Sequence, residues 1–347
     1  MKWSFAQSSG DTGPKVRSPE TNDRRGQIKS ESAAKRDLAR GRFGVISSAM
    51  SPTKPPILFD RKRLRLRRDR AAASFDDFGF LKRRVADALL DRLADTSRTF
   101  STCLDLGCHD GVLSAALMET PDRIVIATDL SERFAARARN AGVQSVVMDE
   151  EQFCFAPGHF DLVTSSLSLH WVNDLPGTLV QSKLALKPDG LFLAALFGGG
   201  TLTELRQSLI EAESELTGGV SARVSPLPGL QDMAGLLQRA GFALPVADID
   251  RLTVRYDTLF HLIRDLRGMA ETAAFAESSG GLSRRIIHRA AEIYSERFSD
   301  PDGRIRASFN IIYLSGWSPH ASQPKPLKPG SAKVRLADAL KTKEYKA

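Results

Sequence analysis

The segment Cys103-Leu104-Asp105-Leu106-Gly107-Cys108-His109-Asp110-Gly111-Val112-Leu113-Ser114 carries the residues best placed for chemistry. It reads as a buried strand, a tight glycine turn and the first turn of a helix. Asp105 stands two positions before the first glycine. Such a turn brings backbone N–H groups and a helix N-terminus close to a ligand. The G-x-G-x-x-G pattern of dinucleotide sites is absent: the glycines are Gly107 and Gly111, with no third to complete it. Asp129 ends the next predicted strand, eighteen residues after Gly111. Two acids flanking one glycine turn suit a ligand with an ammonium group on one side and a ribose diol on the other. A pyrophosphate would be repelled by Asp105. The structural alternative is that Gly107 and Gly111 serve an ordinary strand-to-helix turn and that Asp129 merely closes a strand.

The elements around this segment alternate. Strands are predicted at Cys103–Leu106, Arg123–Thr128, Ser145–Met148, Phe160–Ser165 and Leu191–Phe197, with helices between them over 107–118, Ser131–Ala141 and Pro176–Leu186. Lys187-Pro188-Asp189-Gly190 is read as the turn before the fifth strand. Alternation of this kind predicts an α/β fold with a doubly wound, mostly parallel sheet. Phe75–Leu93 has helical apolar spacing and precedes the first strand as one amphipathic helix. Later come helices at Leu202–Leu216, Leu230–Ala240, Leu259–Met269 and Leu282–Phe298, and strands at Ala247–Val254 and Ser308–Ser315. The organisation expected is a disordered basic arm (1–56), a domain over 57–320 and a loose tail (321–347). Within the domain, 57–100 form a helical cap, 101–200 the ligand-binding core, and 201–307 a helical insertion with the late strands.

Charge is uneven. The chain carries a net +8, yet residues 1–70 hold 18 Lys/Arg against 7 Asp/Glu, and the remainder is slightly acidic. One basic cluster in a solvated arm does not make a nucleic-acid stripe. Met50 is a candidate start. Apolar runs such as Leu191–Phe197 are too short to span a bilayer. Cys103, Cys108 and Cys154 form no CxxC pair, so neither a zinc site nor a disulfide framework is expected, and a reducing cytoplasm fits. His159-Phe160-Asp161 has an H-x-D spacing, but no second histidine stands out as the partner a facial triad needs. His170 and Trp171 follow the fourth strand, at the sheet edge where α/β folds bind ligands. His170 serves there either as a general base or as loop packing.

These residues resemble class I S-adenosylmethionine-dependent methyltransferases, seven-strand Rossmann-like domains whose first motif is D-x-G-x-G-x-G. By that resemblance Asp105, Gly107 and Gly111 hold the methionine end, Asp129 binds the ribose hydroxyls, Asp149 meets the adenine, and Ser166 lines the methionine side; Cys108 and Leu130, beside them, complete the cofactor-binding set. The cofactor implied is S-adenosyl-L-methionine. His109 replaces the middle glycine, and at positive φ a non-glycine residue is strained.

A finer resemblance is to the complex I assembly factor 5 family. It rests on Phe59-Asp60-Arg61, on Leu169-His170-Trp171-Val172-Asn173-Asp174-Leu175-Pro176, on Phe197-Gly198-Gly199-Gly200-Thr201-Leu202-Thr203-Glu204-Leu205-Arg206 and Val224-Ser225-Pro226, and on Asp265-Leu266-Arg267-Gly268-Met269 and Ile312-Tyr313-Leu314-Ser315-Gly316-Trp317. The segment from Phe160 to Asp174 is also similar to the malonyl carrier-protein methyltransferase of biotin synthesis. The first family implies hydroxylation of an arginine in an iron–sulfur subunit of respiratory complex I, in the cytoplasm of a bacterium or in the mitochondrial matrix. Membrane association would then come only through that partner. Three expectations follow: methyl transfer, arginine hydroxylation, or a non-catalytic assembly chaperone that has kept the fold.

Overall fold

The computed structural model describes residues 57–277, 280–324, 330–331, 334 and 336–342. The basic arm expected over 1–56 lies outside the described residues, as does much of the C-terminal tail. Seven strands form one sheet in the order β3-β2-β1-β4-β5-β7-β6. They are β1 (Thr102–Leu106), β2 (Ile124–Asp129), β3 (Gln144–Val147), β4 (Phe160–Ser166), β5 (Leu186–Phe197), β6 (Ala243–Tyr256) and β7 (Ile305–Trp317). The first five pair in parallel, and β7 runs antiparallel between β5 and β6. The strand order reverses at β1, between β2 and β4, which fixes the ligand-binding crevice at the C-terminal ends of these three strands. The strands nearest that point are buried on both faces. This is why β1, β4 and the second half of β5 read as continuous apolar runs.

The helices are α1 (Arg61–Ala71), α2 (Phe75–Phe78), α3 (Phe80–Ala94), α4 (Val112–Met118), α5 (Glu132–Asn140), α6 (Leu175–Ala185), α7 (Thr203–Thr217), α8 (Leu230–Arg239), α9 (Leu259–Gly268), α10 (Arg284–Phe298) and α11 (Leu336–Ala339). One core layer joins Val85 and Leu89 of α3, Leu113 of α4 and helices α7, α9 and α10 to one face of the sheet. A second joins Leu179 of α6 and Leu237 of α8 to the other face.

Three details differ from the sequence expectation. The helix predicted over Phe75–Leu93 is broken at Gly79, whose position leaves almost no room for a side chain beside Phe75 and Arg83. Lys187–Gly190 is not a free turn. It bulges out inside β5, where the pairing steps from Phe160–Leu186 to Leu162–Leu191. The two late strands run longer than their apolar cores, because β6 and β7 pair along nearly their whole length.

Candidate functional site

The glycine turn is built as the spacing requires. Gly107, His109 and Gly111 have φ of 67°, 51° and 82°, so the strained conformation expected at His109 is present. Its cost is offset by packing. The His109 ring stacks on Phe75 at 6.0 Å and meets the Phe134 edge at 5.5 Å. Its Nε2 lies 2.8 Å from Lys82 Nζ. Burial, with Lys82 and Arg68 nearby, holds its pKa well below the usual imidazole value. The ring is therefore neutral and accepts a hydrogen bond from the lysine.

The residues expected to hold a ligand are placed unequally. Asp129 is fully buried at the end of β2 and accepts backbone N–H groups from His109 (3.1 Å) and Ser131 (2.8 Å). Asp105 is tied into the sheet instead: its carboxylate accepts Ser114 Oγ at 2.5 Å and Thr164 Oγ1 at 3.1 Å. Burial pushes its pKa up to about 6. Cys108 spends its N–H on Thr128 O, and burial raises its thiol pKa well above the ordinary value. Leu130 packs with Phe59, Leu64 and Trp171. Ser166, at the end of β4, has a buried hydroxyl that makes no hydrogen bond among the described residues. Asp149 is half-exposed and paired to Arg61 at 2.6 Å.

The crevice is filled by residues that the sequence reading does not single out. Helix α1 starts at the cap Asp60, whose carboxylate accepts the Arg63 N–H. Its inward face is Leu64, Arg68 and Ala71, one helical stripe. Arg68 is 1% exposed, and its guanidinium reaches Glu150 at 2.9 Å, Asp129 at 3.3 Å and Ser168 Oγ at 2.8 Å. Arg61 joins Asp149 and Glu150 from the same helix. Burial alone would raise the Glu150 pKa, but Arg61 and Arg68 hold it well below the usual carboxylate range. At Asp129 burial outweighs Arg68, and the pKa stays raised. Ser168 and Glu150 cover Gly107 so closely that a side chain there would overlap the Ser168 Oγ and Cβ.

This geometry tests S-adenosylmethionine as a ligand. The donor set is present: a glycine turn, an acid closing β2 and an unpaired hydroxyl at β4. The space is not, because Arg68 holds Asp129, and Ser168 with Glu150 lies over the turn. The cofactor does not fit while α1 is seated.

A second space lies beneath the insertion, a cavity of about 220 Å³. Its walls include Phe197 of β5, Leu205 and Leu209 of α7, Leu259 and Leu266 of α9, and Phe309 of β7. His170 and Glu271 also line it. Glu271 ties them together. It accepts Lys82 Nζ at 2.6 Å on one oxygen, and His170 Nε2 at 3.0 Å and Trp171 Nε1 at 2.9 Å on the other. Burial opposes its ionisation, but Lys82 and His170 bring its pKa down to about 2. The His170 pKa is lowered, by burial first. So the ring is neutral, its Nε2 proton points at Glu271, and Nδ1 is a free acceptor.

Two of the distinctive sequence segments meet at this edge. Asn173 Oδ1 accepts the N–H groups of Leu58 and Phe59, each at 2.8 Å, and Phe59 meets Trp171 edge-on at 5.2 Å. Arg61 Nη1 donates to Trp171 O at 3.2 Å. Asp161, by contrast, lies near the start of β4, at the other end of the sheet, where its carboxylate accepts from Thr102 and Lys187.

The sheet order and the crevice define a methyltransferase-fold protein, and residues 78–245 match the methyltransferase domain model. The chain is 40% identical over 288 residues to "Arginine-hydroxylase NDUFAF5, mitochondrial" of Danio rerio, covering 82% of this chain and 90% of that one. The human protein of that name is 39% identical over 302 residues, covering 84% and 88%. At this identity and coverage the chain belongs to the NDUFAF5 family. It is also 30% identical to "Malonyl-[acyl-carrier protein] O-methyltransferase" of Laribacter hongkongensis, covering 78% and 94%. Among solved structures, the YcgJ protein of Bacillus subtilis superposes with a TM-score of 0.47 at 17% identity, covering 67% of this chain and 99% of that one.

Proposed function

We propose that this protein is a protein-modifying enzyme of complex I assembly whose reaction is hydroxylation of an arginine in an iron–sulfur subunit. The observation that carries this reading is the extent of the likeness. It runs over 82% of this chain at 40% identity to a relative named as an arginine hydroxylase, against 30% identity to the malonyl carrier-protein methyltransferase over a similar length. The closed crevice supports it: a chain that depended on S-adenosylmethionine in its resting fold would not seat its own Arg68 on the ribose-binding carboxylate. The residues of this chain bind and orient the partner at the C-terminal edge of the sheet. Such a protein works in the cytoplasm of a bacterium or in the mitochondrial matrix. No helix among the described residues is long and apolar enough to cross a membrane.

Methyl transfer from S-adenosylmethionine is the second reading. It is favoured by the glycine turn and by the unpaired Ser166 hydroxyl, and it requires Arg68 to withdraw. Mass spectrometry of the iron–sulfur subunit from a deletion strain tests the first reading. One hydroxyarginine should vanish and return on complementation; an unchanged arginine would sink it. Calorimetric binding of S-adenosylmethionine to the purified chain, with a new methyl group on the same subunit, would establish the second.

A further inference from the structure

The cavity beneath α7, α9 and α10 is apolar, yet three polar atoms of the residues that line it are buried and make no hydrogen bond among the described residues. They are His170 Nδ1, Ser225 Oγ and Arg223 Nε. Buried polar atoms left unpaired cost about 1–3 kcal/mol each, so three in one cavity call for an occupant. His170 sits on the floor, after β4. Ser225 and Arg223 stand on the wall, in the loop between α7 and α8.

Their chemistry differs in a useful way. His170 Nδ1 accepts only, because its Nε2 proton is held by Glu271. Arg223 Nε donates only; its other nitrogens are committed to Glu213 (2.6 Å) and to Gly280 O (2.9 Å). Ser225 both donates and accepts. The complement is a ligand with one donor, one acceptor and an apolar body. A fatty carboxylate offers no donor to His170, and an alcohol carries its donor and its acceptor on one oxygen. An amide carries them on two separate atoms, one for the floor and one for the wall. The charges around the cavity are largely internal pairs, Lys82 with Glu271 and Arg223 with Glu213, and Arg267 is exposed. A neutral ligand is therefore favoured over an ion.

We propose that this cavity receives a segment of the protein substrate, a large apolar side chain together with its backbone amide, the N–H donated to His170 Nδ1 and the C=O accepted from Arg223 Nε and Ser225 Oγ. The proposal rests on the reading that the substrate is a protein. It adds a specificity pocket beside the reacting edge and makes His170 and Ser225 substrate-binding residues.

The full chain is titrated with N-acetyl-leucine methylamide and followed by NMR. N-acetyl-glycine methylamide and decanoate serve as comparators. Leucine methylamide should bind more tightly than either. Ser225→Ala and His170→Phe should each weaken it by about fivefold, the worth of one hydrogen bond. The serine variant removes one oxygen atom, so it keeps the test valid if the histidine variant does not fold. Tighter binding of decanoate, or leucine methylamide affinity unchanged in Ser225→Ala, would overturn the proposal. The deletion-strain spectrum reads the product and this titration reads the cavity, so either idea can fail without the other.

Discussion

The Arg68 guanidinium lies 2.9 Å from the Glu150 carboxylate, with neither side chain exposed beyond 1%. Removing one partner of a buried ion pair leaves an uncompensated charge and costs about 3–5 kcal/mol. Arg68→Met should therefore lower stability by about 3 kcal/mol in denaturant melts, since Arg61 still covers part of Glu150. The same change opens the space over Asp129. S-adenosylmethionine should raise the melting temperature of Arg68→Met more than that of the wild type. Equal shifts in both proteins would show that α1 does not bar the crevice.

Asp105 gives a pH dependence with a definite sign. Its pKa rises from 3.8 to about 6 on folding, so the folded state favours the protonated form. The stability that this group contributes is complete below about pH 4 and is lost as the pH climbs through about 6, roughly 3 kcal/mol in all. Asp105→Asn keeps the neutral form at every pH. Relative to wild type, the variant should gain about 2 kcal/mol between pH 4.5 and 7.5 in urea melts. A constant difference across that range would mean that the carboxyl titrates normally.

Lys82 and Glu271 pair at 2.6 Å, both nearly sealed from solvent. Lys82→Met and Glu271→Gln should each cost about 3 kcal/mol or more, because each strands the other's charge. The double variant should cost well under the sum, with a coupling of at least about 1 kcal/mol. Additive losses would place the two side chains apart. The wild type should also lose stability as the pH falls from about 4.5 towards 2, where Glu271 takes up its proton.

Much of this edge was legible in the chain and some was not, for physical reasons. Local patterns mark the strands: Leu191–Phe197 must be buried on both faces, and Gly107 and Gly111 must turn the chain. Asp129 stands where its spacing from Gly111 places it. Arg68 was hidden because seven of the ten residues Arg61–Arg70 are basic and read as a solvated face. The faint signal is its place between Leu64 and Ala71 on one stripe. Glu271 was hidden because its meaning is entirely non-local: its partners Lys82 and His170 are 189 and 101 residues away. A lysine beside Leu81 on the buried face of α3 was the available hint that a buried acid must exist.

Gly107 makes a very close approach in the crevice, and Ser168 is what it approaches. Its φ of 67° costs a side chain about 1 kcal/mol, and a methyl group there would overlap Ser168. Together these predict that Gly107→Ala loses about 2–4 kcal/mol. Ser168→Gly alone loses the hydroxyl that donates to Glu150 at 2.7 Å and accepts from Arg68 at 2.8 Å, about 1–3 kcal/mol. In the closed crevice the second change removes the clash created by the first. The double variant should then be more stable than the sum of the two losses by about 1 kcal/mol or more. If Ser168 lay away from Gly107, the two losses would simply add. Chemical denaturation of the four proteins therefore reads whether Ser168 covers the glycine turn in the resting molecule.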